Sequence, residues 1–135
     1  METWNLYDYV DVNGVNQFKK WCQGQQKPNL AKINHKLDML ERTGMGLLPS
    51  ILAGPFGPGK HIYKLKIKGR VALRPMLCKG PVNPDTEFTL LLGVEERDGE
   101  LVPKGAPEIA EALRQQVLHD PSHRRCPHEH VIRPA

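Results

Sequence analysis

Between Lys60 and Lys79 the chain places seven lysines or arginines and no acid: Lys60, Lys64, Lys66, Lys68, Arg70, Arg74 and Lys79. Ile62, Lys64, Lys66 and Lys68 alternate with Tyr63, Leu65 and Ile67. Alternation with period two is the mark of a strand that buries one face and leaves the other wet. Long cations then line the wet face, and such a surface suits a polyanion. His61 and Tyr63 stand in the same stretch. Tyr63 shares the parity of Leu65 and Ile67, which turns its ring towards the core.

The other reactive residue types lead to less. His119, His123, Cys126, His128 and His130 are of metal-ligating type, but a closed zinc site wants paired ligands on two rigid elements. All five fall within one polar, proline-containing tail, so no metal is expected. The three cysteines, Cys22, Cys78 and Cys126, are odd in number and widely spaced, which argues against a disulfide framework and for a reducing cytoplasm. Cys22 on the apolar side of a helix and Cys78 at a strand end read as small buried hydrophobes. Lys60 follows a glycine, yet a phosphate-cradling loop needs Ser or Thr after the lysine, and His61 stands there. No cofactor is expected.

Elements must position the basic row. Ile62 to Ile67 predicts a strand, Lys68-Gly69-Arg70 a tight turn, Val71 to Cys78 the returning strand and Glu87 to Val94 a third, apolar enough to be central. Upstream, Trp4 to Val12 alternates imperfectly and predicts a short edge strand closed by Asn13-Gly14. Val15, Phe18, Trp21 and Cys22 fall at helical spacing, and Gly24 with Pro28 end that helix. Asn29 is a suitable N-cap for a second helix with the apolar stripe Leu30, Ile33, Leu37 and Leu40, stopped at Gly44. Gly44 to Gly59 is dense in Gly and Pro and predicts a long loop pinned to the core. Lys79 to Asp85 predicts an exposed flap and Glu95 to Glu100 a charged turn. Pro107 opens a last helix in which Ile109, Ala112, Leu113, Val117 and Leu118 face inward. His119 to Ala135 predicts a tail with little fixed structure.

At 135 residues the chain is long enough for one domain with its own core, here assigned to residues 1–118, with 119–135 as a flexible tail. The formal charge of +4 and pI of about 9.1 lean towards nucleic acid. The lean comes from local concentration, since the acids lie chiefly between Asp85 and Glu111. No run of about eighteen apolar residues and no charged-then-apolar leader occurs, so neither a membrane span nor a secretory signal is expected, and the expected location is cytoplasmic.

The order helix, helix, glycine-rich loop, basic strands, apolar strand, charged turn, helix resembles the phage Gp49-like and HigB-like branch of the RelE/ParE toxin superfamily. The helical pair ends in L-x-x-L-x-x-x-G, here Leu37 to Gly44. A glycine-led x-Y-x-L strand follows at Gly59 to Ile67, and a returning strand begins at Gly69-Arg70-Val71. Leu90-Leu91-Leu92-Gly93-Val94 stands where the family has an L-L-x-G-F strand. Pro103 to Ala112, with Glu108-Ile109 and Ala112 in register, stands for its P-x-x-E-I-x-x-A helix. The resemblance spans about residues 15–118.

The resemblance implies a RelE-like α+β domain, with a small antiparallel sheet of three or four strands, two N-terminal helices and a C-terminal helix. It implies a ribosome-dependent, metal-independent mRNA endoribonuclease from a type II toxin–antitoxin system, held inactive by a cognate antitoxin. Cleavage needs cations on the scissile phosphate and a group that moves a proton at the 2′-hydroxyl. By position, Lys64 or Lys66 and Arg70 and Arg74 match the family's basic residues, and His61 or Tyr63 would carry the proton. Lys60, Lys68, Lys79, Arg97 and Lys104 would add nucleic-acid contacts. The chain departs from the pattern after the third strand, where active relatives carry paired lysines and this one has Glu95-Glu96. Two carboxylates would repel a phosphate by about one kcal/mol or more per close pair near a surface. That departure favours the alternative, a non-catalytic phage or prophage protein on the same fold that binds nucleic acid or a protein partner, gyrase inhibition of the ParE kind included.

Overall fold

The computed structural model describes residues 3–132. The chain begins with β1 (Asn5–Tyr9), α1 (Gln17–Gln23) and α2 (Lys27–Thr43), then a 3-10 turn at Gly44–Leu47. Five strands follow: β2 (Leu52–Phe56), β3 (Ile62–Leu65), β4 (Ala72–Leu73), β5 (Met76–Lys79) and β6 (Glu87–Leu92). A hairpin of β7 (Glu95–Arg97) and β8 (Glu100–Val102) leads to α3 (Ala106–His119), α4 (Pro121–Arg124) and β9 (Arg125–Pro127).

The fold is mixed α+β, with its main sheet as the middle of three layers. Along β3, β5 and β6 successive side chains enter different cores. Tyr63, Leu65, Leu77, Phe88 and Leu90 join Leu30, Ile33, Leu37 and Leu40 of α2, together with Phe18 and Cys22 of α1. Ile62, Met76, Cys78 and Leu91 join Ala106, Ala110 and Val117 of α3. A strand buried on both faces reads as a continuous apolar run, which is why Glu87 to Leu92 shows no alternation.

The sheet is larger than the three or four antiparallel strands expected. Six strands run in the order β2-β3-β5-β6-β1-β9, and β4-β7-β8 form a separate three-stranded sheet. Each extra strand in the main sheet lies where the sequence carries a weak signal. β1 is interior, parallel to β6 with Leu6 opposite Phe88, where an edge strand was expected. β2 lies inside the expected Gly44–Gly59 loop and occupies the sheet edge, where Pro55 is tolerated and where the β2–β3 register shifts between Ala53 and Phe56.

β9 corrects the expectation of a flexible tail as far as Ile132, because Cys126 pairs with Asp8 in the antiparallel β1–β9 ladder. Val131 is buried in the α1–α2 core. Residues 133–135 lie outside the described residues. Three local boundaries also differ. Pro28 sits in the first turn of α2, where a missing N–H costs nothing, and Gln26 rather than Asn29 is the N-cap. The expected Val71–Cys78 strand is broken into β4 and β5, joined through Arg74-Pro75. On α3, Leu113 and Val117 face inward as expected, but Ile109, Ala112 and Leu118 are exposed. The buried face is instead Ala106, Ala110 and Val117, small enough for close approach to the sheet, with Glu111 and Arg114 admitted because they pair with each other at 2.9 Å.

Gly44 ends α2 for two reasons. Its φ of +60° favours glycine, and a Cβ there would lie 2.0 Å from Nε1 of the Trp4 indole.

Candidate nucleic-acid interface

The basic row does not form one surface. Five of its seven cations divide between two concavities separated along β3 and its continuation, with His61 and Lys66 five residues, roughly 16 Å of extended chain, apart.

The larger is a cleft of about 530 Å³ between α2 and the segment joining β3 to β4. The apolar stripe of α2 is buried, and Lys32, His35 and Lys36 follow the i, i+3, i+4 rule on an adjacent stripe, which brings all three to one side of the helix. Lys66 and Lys68 face them with strand parity, and Arg74 closes the far wall. Ser50, Ile51 and Ile67 complete the lining, with no acid among the described residues.

Several cations are held in place by backbone carbonyls. Lys32 Nζ donates to the Lys68 carbonyl at 3.1 Å and Lys66 Nζ to the Pro49 carbonyl at 3.0 Å. Arg74 donates to the carbonyls of Ile67 (3.3 Å) and Leu73 (3.0 Å). Lys36 and Lys68 have no side-chain acceptor among the described residues. Such carbonyl contacts fix direction without cancelling charge, so the cleft remains strongly positive.

The Glu95-Glu96 pair is neutralised on the spot. Glu96 lies 3.2 Å from Arg74 Nε, and Glu95 lies 2.9 Å from Arg97. Arg97 is therefore occupied.

The smaller concavity, about 340 Å³, lies at the start of β3, against the end of β5 and α3. Lys60, His61, Tyr63, Lys79 and Arg114 line it, with Pro81 and Pro84 from the turn before β6. Burial raises the Tyr63 phenol above its ordinary value, which keeps it protonated and makes it a poor base. Glu111 stands behind Arg114: burial pushes its carboxyl up, but hydrogen bonds from Arg114 and Gln115 and the charges of Arg114 and His61 outweigh this and hold it below the ordinary carboxylate value.

Of the expected catalytic set, then, Arg74 lies in the cleft, His61 and Tyr63 in the second cavity, and Arg70 on the exposed turn in neither. Lys66 and Lys68 join Arg74, while Lys60 and Lys79 join His61. Lys64 points its ammonium over the Phe56 ring at 5.6 Å, and Lys104 is exposed ahead of α3. Sequence reasoning missed Lys32, His35, Lys36 and Arg114. The K-x-x-H-K spacing on α2 was a legible signal that one helix face is basic, although not that it faces the strands.

The tail histidines are dispersed. His123 pairs with Asp120 (2.9 Å), His130 with Asp38 (2.7 Å), and His128 Nδ1 with the buried Asp8 (2.8 Å). Among the described residues no three His, Cys, Asp or Glu side chains gather in a metal-holding group. Burial pushes the Cys22 and Cys78 thiols up to about 12 and also raises Cys126, so none is poised as a thiolate nucleophile. No helix among the described residues is long and apolar enough to cross a membrane.

Compared with protein-family models, curated proteins and solved structures, the chain matches none.

Proposed function

We propose that this protein binds single-stranded RNA through the cleft between α2 and the β3–β4 segment. The observation that carries the reading is the convergence of Lys32, Lys36, Lys66, Lys68 and Arg74 on one concave surface with no acid in its lining. A strand's phosphates are gripped by such an array through counterion release, without base contacts. The test is fluorescence anisotropy of a labelled RNA oligonucleotide with the wild type and the Lys66→Ala variant, with Arg70→Ala as an exposed control outside the cleft. Loss in the first variant and near-wild-type binding in the second support the reading. Equal effects, or no binding by the wild type, defeat it.

A second reading, the toxin-like ribosome-dependent endoribonuclease on a RelE-like fold, draws on the family resemblance and on His35. That imidazole stands among the cleft cations, so a proton carrier shares the cleft with Arg74. His61 and Tyr63 lie too far along β3 to serve the same phosphate. Induced expression in a bacterial host, with primer extension on an abundant message, separates the readings. New message ends that disappear in His35→Ala select cleavage, with the ribosome and an acidic antitoxin as partners. Intact message with retained RNA binding selects the non-catalytic protein.

A further inference from the structure

We propose that the cavity bounded by Lys60, His61, Lys79 and Arg114 is a binding site for a phosphate monoester, separate from the cleft and independent of what the cleft binds. Its volume of about 340 Å³ falls at the small end of the range for ligand pockets, about 300–1,000 Å³. No acid lines it among the described residues, and neither Lys60, His61 nor Lys79 has an ion-pair or hydrogen-bond partner for its side chain there.

The charge count selects the ligand class. Arg114 is largely buried, its side chain 11% exposed, and its Nε donates to Glu111 Oε1 at 2.9 Å. That pair is close to neutral as a unit, yet the terminal nitrogens of the guanidinium meet no acceptor among the described residues. The surplus is the two ammonium groups of Lys60 and Lys79. A phosphate monoester carries about −1.5 to −2 at neutral pH, whereas an internal diester carries a single charge. Two free ammoniums, a guanidinium fork and an imidazole suit the three terminal oxygens of the monoester.

The cavity is also built in advance of any ligand. Lys60 has a φ of +56°, in the left-handed region that a residue with a side chain seldom occupies, and its N–H donates to the Gly57 carbonyl at 3.0 Å. Backbone in this region is strained for a residue with a side chain, and such strain gathers at ligand-holding positions. Gly59, with a φ of +71°, makes the turn that leads into His61, and its bare backbone lets the imidazole pack against it, where a Cβ would lie 2.9 Å from Cδ2 and Nε2.

The monoester could be a free nucleotide or the terminal phosphate of an RNA strand. Isothermal titration calorimetry with adenosine monophosphate, inorganic phosphate and adenosine tests the site, using the wild type, Lys79→Gln and Lys60→Gly. Glycine at position 60 removes the ammonium while keeping the backbone conformation, so loss there cannot be assigned to strain. The expected result is binding of the monophosphate and of inorganic phosphate, none of adenosine, and about ten-fold or greater weakening in either variant. Lys36→Ala, in the cleft, should leave this binding unchanged. Comparison of RNA with and without a 5′-phosphate then distinguishes the sources: an affinity gain from the phosphate that Lys79→Gln abolishes marks a strand end, and no gain marks a free nucleotide. Adenosine binding as well as the monophosphate, equal affinity in both lysine variants and the wild type, or no binding of either phosphate would overturn the proposal.

Discussion

Removing Lys36 and Lys68 together should change how RNA binding responds to salt more than it changes anything else. Both line the cleft, and neither ammonium has an acceptor among the described residues. Their loss should therefore shift stability by no more than about 0.5 kcal/mol. The cleft offers four lysines, Lys32, Lys36, Lys66 and Lys68, with Arg74 already engaged by Glu96. For a single strand each neutralised phosphate contributes about −0.7 to the slope of log K against log salt, so the wild type should show about −2.8 and the double variant about −1.4. Between about 50 and 200 mM salt, the wild type should lose about fifty-fold in affinity and the variant about seven-fold. Anisotropy titrations at four salt concentrations would measure both slopes. Equal slopes, or a wild-type slope shallower than about −1, would refute the claim that the cleft is where phosphates are held.

Glu96→Gln should strengthen binding, because Arg74 loses its carboxylate partner but keeps its carbonyl anchors on Ile67 and Leu73. The salt slope should steepen by about 0.7, and weaker binding in the same titration would contradict the assignment of Arg74 to the cleft wall. Glu111 has its folded value lowered below 4.5, so its ionisation stabilises the fold above that pH and the contribution is lost as pH falls through the lower folded value. The thermal midpoint of Glu111→Gln should accordingly fall less steeply than the wild type's on acidification. A steeper fall would reverse the sign. Asp8 accepts from Asn16 Nδ2 and faces His128 Nδ1, both at 2.8 Å. Asp8→Ala should cost about 1–3 kcal/mol for each buried group left unpaired, and calorimetry showing an unchanged midpoint would remove this pair from the account of how the last strand is held.

Much of the fold was legible in the sequence, and the failures share a cause. The α2 stripe Leu30, Ile33, Leu37 and Leu40 is buried as its spacing predicts, because a helix with one apolar face has one way to bury it. The central position of Glu87–Leu92 followed equally from an apolar run too long to be half wet. In contrast, β1, β2 and β9 are short, and their strand character depends on a neighbour's hydrogen-bonding edge rather than on their own pattern. β9 could not be foreseen from H-R-R-C-P-H, since its order comes from β1 and from Asp8, more than a hundred residues earlier.

The same division holds at the site. Local alternation showed a basic row and placed Tyr63 with the core, because strand parity depends only on neighbouring residues, but the face expected to be wet is buried at Ile62, which packs against α3. Which cations act together was decided by tertiary packing. α2 crosses near the end of β3 and brings Lys32, His35 and Lys36 to Lys66, Lys68 and Arg74. α3 packs over its start and brings Arg114 to His61 and Lys79. A strand can set the order of its charges along the chain, but the partners that divide one row into two sites come from helices whose placement is determined by burying their apolar faces.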